Sequence, residues 1–221
     1  FQQTSDDDVI ALLERARSLN GKRGDGPGAT ERDHSSEVEL ELGEVKLSGV
    51  LSVPAGASGL VIFAHGSGSS RFSPRNRLVA SHLRSRGIGT LLFDLLTPLE
   101  EREDDRTAEL RFDIGFLANR LVEVTELVAA DPALRQLKLG YFGASTGAAA
   151  ALSAAARKPE LIRAVVSRGG RPDLAEAELS RVEAPTLLLV GERDRQVLEL
   201  NRRALDQLRC EKQLEIVPAR G

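Results

Sequence analysis

Two kinds of hydrophobic periodicity run along this chain, and one gives way to the other near residue 59. Val38, Leu40 and Leu42 alternate with polar residues, a Gly43-Glu44 turn follows, and Val45, Leu47, Leu51 and Val53 continue the pattern. Period-two alternation on both sides of a glycine turn predicts a β-hairpin. After the turn at 54–58, short apolar runs at 60–64, 89–93, 138–142, 164–167, 186–190 and 214–217 predict buried strands. Helical patterns lie between them, at 74–86, 108–130, 146–157 and 196–209. In the second of these, Leu110, Ile114, Leu117, Leu121, Val124 and Val128 share one face, and Asp131-Pro132 stops the helix. A hairpin followed by β-α repeats predicts an α/β fold: a mostly parallel sheet with helices on both faces, a three-layer sandwich opened by an antiparallel pair.

The first 35 residues follow neither pattern. Ser5 is placed to cap a short helix, with Asp6, Asp7 and Asp8 in its first turn and Val9, Leu12 and Leu13 on one stripe. Gly24, Gly26, Pro27 and Gly28 then give linker composition. The expected organisation is an appended helix over 1–20, a flexible linker over 21–35 and one main domain over 36–221.

Bulk properties narrow the function classes. With 221 residues, 41% hydrophobic and 29% charged, the chain is long enough for one large soluble domain. A net charge of −3 gives no electrostatic reason to expect nucleic acid or an anionic membrane as partner. Cys210 is the sole cysteine and has no internal disulfide partner. No apolar run approaches the roughly 20 residues of a membrane span, and no signal peptide is visible, so the expected location is cytoplasmic. The absence of methionine suggests a piece of a longer translation product. Neither Cys210 nor the three histidines has metal-ligand spacing, so neither a metal nor an organic cofactor is implied.

The chemistry concentrates where predicted strands end. Gly143-Ala144-Ser145-Thr146-Gly147 lies between the 138–142 strand and an alanine-rich helix. A serine on such a turn projects its hydroxyl above the sheet edge, which marks Ser145 as a candidate nucleophile. A serine hydroxyl needs a base to take its proton, and that base needs a carboxylate to orient it. Asp194 closes the 186–190 strand run and suits that role; it also suits capping of the 196–209 helix. Glu192 is the neighbouring competitor, and Asp94, on the same edge, fits a structural or substrate-side role. The glycine-rich run His65-Gly66-Ser67-Gly68 lacks the lysine and the glycine spacing of nucleotide loops. Arg168 and Arg171 leave another strand at this edge and are candidates to hold an anionic substrate group. The charge run at 100–106 reads as a solvated loop at the entrance. With no insertion long enough for a lid, the site is expected to be open and shallow.

Together, Ala64-His65-Gly66-Ser67-Gly68, Gly143-Ala144-Ser145-Thr146-Gly147 and Gly191-Glu192-Arg193-Asp194 resemble the motifs of the α/β-hydrolase family, in particular its dienelactone-hydrolase-like branch, over roughly residues 36–221. The resemblance implies an oxyanion hole made by the N–H of Thr146 and an N–H from the 65–68 loop, Ser67 or Gly66. It also implies a catalytic histidine in a loop after the last strand, followed by a closing helix. Neither is present here. His65 begins the oxyanion loop, where the family uses it structurally; His82 lies in a predicted helix and His34 in the linker. Either the base lies beyond Gly221 or the fold is a degenerate hydrolase. The joint absence of base and helix favours the first, and the chain as given is then an impaired catalyst. Residues 1–9 are similar to the closing segment of bacterial phosphoribosyltransferase domains fused ahead of such hydrolases.

The implied activity is hydrolysis of a small-molecule ester, thioester or lactone through an acyl-enzyme. A non-catalytic binding module and an acyltransferase are the alternatives.

Overall fold

The computed structural model describes residues 35–218. The expected appended helix, and the linker up to residue 34, lie outside the described residues. Ser35 already belongs to the sheet.

The eight strands are β1 (Ser35–Leu42), β2 (Val45–Ser52), β3 (Gly59–Ala64), β4 (Gly89–Phe93), β5 (Lys138–Ala144), β6 (Ile162–Arg168), β7 (Thr186–Gly191) and β8 (Lys212–Val217). They form one sheet in the order β1-β2-β4-β3-β5-β6-β7-β8. β1 pairs antiparallel with β2 and β2 antiparallel with β4; every later pairing is parallel. The parallel strands therefore end on a common rim, at Ala64, Phe93, Ala144, Arg168, Gly191 and Val217. This is the edge where open α/β sheets bind ligands.

The helices are α1 (Pro74–Arg84), α2 (Pro98–Thr107), α3 (Ile114–Ala130), α4 (Thr146–Arg157), the single turn α5 (Glu176–Leu179) and α6 (Arg195–Gln207). α1 packs Val79 and Ala80 on Phe63, Leu92 and Phe142. The opposite face carries the main core, with Leu117, Leu121 and Val124 of α3 and Ala149 to Ala156 of α4 over Ile62, Leu91 and Tyr141. Each residue of α4 from Thr146 to Ala156 is buried. Their small side chains let the helix axis lie close to β5, which carries the Ser145 turn. On α1's face, Val166, Leu187 and Leu189 of β6 and β7 stay half-buried, and none of the described helices covers them fully.

The 100–106 charge run is not a loop. It lies in α2, where Thr97 accepts from the Glu100 amide while Glu100 accepts from the Thr97 amide, with Pro98 in the first turn. This reciprocal cap outweighs the solvent-loving composition. The side chain of Glu100 also accepts from buried Arg120 at 2.6 Å, tying α2 to α3. Ala108, at φ 56°, ends α2, so the helix expected from 108 starts only at Ile114, capped by Asp113. Leu110 falls in an intervening 3₁₀ turn.

Candidate active site

Ser145 sits at the rim between β5 and α4 with φ 51° and ψ −122°. Ala108 is the other described non-glycine residue with positive φ. Such a backbone persists only when its surroundings fix it, and here they do. The Ser145 amide donates to the Arg168 carbonyl at 3.4 Å, and the Ser145 carbonyl accepts from the amides of Arg171 and Ala148, both at 3.1 Å. Gly147 passes so close to β3 that a Cβ there would stand 2.7 Å from the Ala64 carbonyl carbon. Ser145 itself is half-buried, so its side chain is within reach of solvent.

The loop from His65 to Arg71 lies across the rim from this turn. His65 Nδ1 donates to the Gly66 carbonyl at 3.0 Å, and its Nε2 accepts the Leu95 amide at 3.1 Å. The ring is densely enclosed, and this desolvation lowers its pKa below 6.5 despite opposing contributions from the Gly66 carbonyl, Asp94 and Glu101. A neutral ring with its proton on Nδ1 satisfies both bonds, so His65 braces the ends of β3 and β4. At the loop's far end, the Arg71 amide donates to Asp94 Oδ1 at 2.7 Å and the Arg71 guanidinium pairs with Asp94 Oδ2. Asp94 thus anchors the loop. In its middle, the Ser67 amide donates to Thr146 Oγ1 at 3.1 Å.

A cavity of about 140 Å³ opens between this loop and the turn. Gly66, Ser67, Ser145, Arg168 and Asp194 all line it, so five of the seven sequence-predicted site residues meet in one space. Thr146 lies under the neighbouring part of the loop and lines a smaller cavity of about 40 Å³ with His65, Asp94 and Glu101. Arg171 is drawn elsewhere: it makes two parallel bonds to Asp173, 2.9 and 2.8 Å long, and is outside the cavity lining. Asp194 caps α6, accepting the Val197 amide at 3.2 Å, and also faces the cavity. One side chain thus caps α6 and borders the cavity at once. Glu192 is exposed and does not line this space.

Two further contributors escaped the sequence reading. Buried Asn76 and the neighbouring Arg75 reach the cavity from α1, and Asn76 Oδ1 accepts from Arg168 Nη2 at 3.0 Å. The lining carries hydroxyls from Ser67, Ser69 and Ser73, and its aliphatic side chains are Ala144 and Val190. The lining includes no histidine; His82 lies on α1 and His65 is engaged as above. Among the described residues no cluster of His, Cys, Asp or Glu could hold a metal ion, and no helix is long and apolar enough to cross a membrane.

No family model matches the chain. It is 57% identical to a dienelactone hydrolase from Anabaena variabilis, with 84% of this chain and 86% of that one superposing at a TM-score of 0.82. The esterase Est1E from Butyrivibrio proteoclasticus shares the fold at 15% identity, with 83% of this chain and 88% of that one covered and a TM-score of 0.68. Curated relatives from two strains of Mycobacterium tuberculosis, which carry a phosphoribosyl transferase name, are 52% identical over 219 residues. That match takes in 99% of this chain and 48% of theirs, so the chain spans about half the length of these relatives.

Proposed function

The chain belongs to the dienelactone hydrolase family of α/β-hydrolases, and from that premise we propose that it is a serine hydrolase that opens a carboxylic ester, thioester or lactone through an acyl-enzyme on Ser145. The observation that carries this reading is the positive-φ turn that holds Ser145 over a cavity shared with Asp194. In the proposed reaction, Ser145 Oγ attacks the acyl carbon while its proton passes to a base. The carbonyl oxygen becomes an oxyanion facing the amides of Thr146 and Ser67. Collapse of the adduct expels the alcohol, thiol or ring oxygen, which takes the proton back. Water, deprotonated by the same base, then releases the acid.

We propose that Asp194 orients this base at the rim where β7 and β8 end. The support is geometric. Val217 pairs with Gly191, and its carbonyl accepts the Glu192 amide at 2.9 Å, so β8 ends on the same rim as Asp194. The small, serine-lined cavity suits a compact acyl group, and Arg168, held by Asn76, suits an anionic substituent on it. The relatives' greater length and name support a physical link to a phosphoribosyltransferase domain, which we propose as the neighbour of this hydrolase.

The test is a fluorophosphonate probe on the full-length protein and on its Ser145→Ala variant. Labelling of the first and not the second is expected. An unlabelled full-length protein would sink the reading and leave a non-catalytic module.

A further inference from the structure

The amide of Ser67, proposed above as an oxyanion donor, is aimed by a side chain 79 positions away in sequence. Thr146 Oγ1 accepts it at 3.1 Å. We infer that the Thr146 side chain is a positioning residue of the oxyanion loop: its hydroxyl fixes the direction of the Ser67 N–H, separately from anything the Thr146 amide does. This rests on the reading of Ser145 as nucleophile.

The loop needs such a tether. Gly66 has no side chain to hold it, and Gly68 has φ 68°, so the middle of the loop is held largely through its backbone. Its two ends are fixed to the residues just after β4: His65 accepts the Leu95 amide, and Arg71 is held by Asp94. The Gly66 carbonyl, on the same peptide as the Ser67 N–H, accepts from His65 Nδ1 at 3.0 Å and from the Ser69 amide at 3.2 Å, but neither bond touches that N–H itself. Thr146 does reach it, from a residue that is 2% exposed and sits at the first position of α4, directly after the braced Ser145. As the first residue of the helix, Thr146 has an N–H with no carbonyl behind it to bond. One residue therefore places both proposed donors, its own amide directly and that of Ser67 through Oγ1. β-Branching restricts the hydroxyl to few rotamers, so the direction it imposes is definite. An N–H bonded at 3.1 Å can still be shared with a second acceptor, as three-centre bonds do.

The test compares Thr146→Val, which keeps the branched shape and removes the acceptor, with Thr146→Ser, which restores the acceptor. Three quantities are measured on the full-length protein. These are hydrogen exchange of the 65–70 segment, kcat and KM on a p-nitrophenyl ester, and affinity for a trifluoromethyl ketone, whose adduct with Ser145 carries an oxyanion. In Thr146→Val the Ser67 amide should exchange about tenfold faster, kcat should fall about tenfold with KM little changed, and ketone affinity should fall in step; this is the weight of one positioned hydrogen bond. Thr146→Ser should recover most of each loss. Unchanged exchange would overturn the inference, and so would faster exchange with unaltered kcat and ketone affinity. If Thr146→Val lowers the melting temperature severely, Thr146→Ala provides the same comparison without the apolar branch. If the unsubstituted protein resists the fluorophosphonate, the nucleophile reading falls, while the exchange measurement still decides whether Thr146 holds the Ser67 amide.

Discussion

A Cβ added to Gly143 would stand 2.7 Å from the carbonyl oxygen of Gly147 and 2.8 Å from the amide nitrogen of Ala148. These are backbone atoms of the turn that carries Ser145, and they have no rotamer to escape into. Gly143→Ala should therefore cost about 3 kcal/mol, the upper range for overpacking a core. Gly43→Ala, in the β1–β2 turn, meets no atom within 4 Å and carries only the strain of φ 64°; it should cost about 1 kcal/mol. Urea midpoints of the two variants check this ordering, and equal midpoints would contradict it.

Asp194 is proposed to do two things that chemistry can separate. Asparagine keeps the acceptor that caps α6 but loses the charge that would steady an imidazolium. Asp194→Asn should retain the folded stability and still lose about 10⁴ in kcat, by comparison with the same change in a serine protease triad. Asp194→Ala should lose the turnover and about 1 kcal/mol of stability as well. Chemical denaturation beside steady-state kinetics distinguishes the two; an Asp194→Asn enzyme with normal turnover would move the carboxylate role elsewhere.

His65 makes stability depend on pH. Its ring is kept neutral by enclosure, with a folded pKa below the usual 6.5, and Nε2 must stay unprotonated to accept the Leu95 amide. As pH falls below about 6.5, the unfolded chain takes up a proton that the folded one refuses. The stabilisation is thus complete above that pH and declines as pH drops toward the folded pKa. The melting temperature should fall between pH 7.5 and 5.5, and the His65→Asn variant should show a shallower fall over the same interval.

The Arg71–Asp94 pair anchors the far end of the loop, and both side chains are about four-fifths shielded from solvent. Asp94→Ala leaves the Arg71 guanidinium and the Arg71 amide without this acceptor. It should cost about 2 kcal/mol, as expected for losing charge-assisted hydrogen bonds. It should also speed hydrogen exchange over 65–71 more than over β5. Uniform exchange across both segments would show that Asp94 does not hold the loop.

Most of the architecture was legible because it rests on local patterns. Buried strands show as short apolar runs, and the stripe from Ile114 to Val128 announces α3. The charged α2 was misread from its composition, although its own sequence carried the signal in Thr97, Pro98 and Glu100. Ser145 and Asp194 were legible because the ends of parallel strands necessarily share a rim. Arg75 and Asn76 were not, because they enter the cavity from a helix some 70 positions before Ser145. The loss of Arg171 to Asp173 is a matter of side-chain direction: two residues of separation allowed the pair without requiring it. The bond between Ser67 and Thr146 depends on how a loop settles against a helix start, which no periodicity encodes.

The run of methyl groups along α4 has an evolutionary consequence. Seven of the twelve residues of α4 are alanine, all of them buried, and a close-packed interior leaves little room for larger side chains there. The floor under Ser145 is therefore constrained, and adaptation to a different substrate is expected in the walls, at Arg75, Asn76, Arg168 and the serines of the facing loop. Descendants of this protein should differ in diet while sharing one foundation.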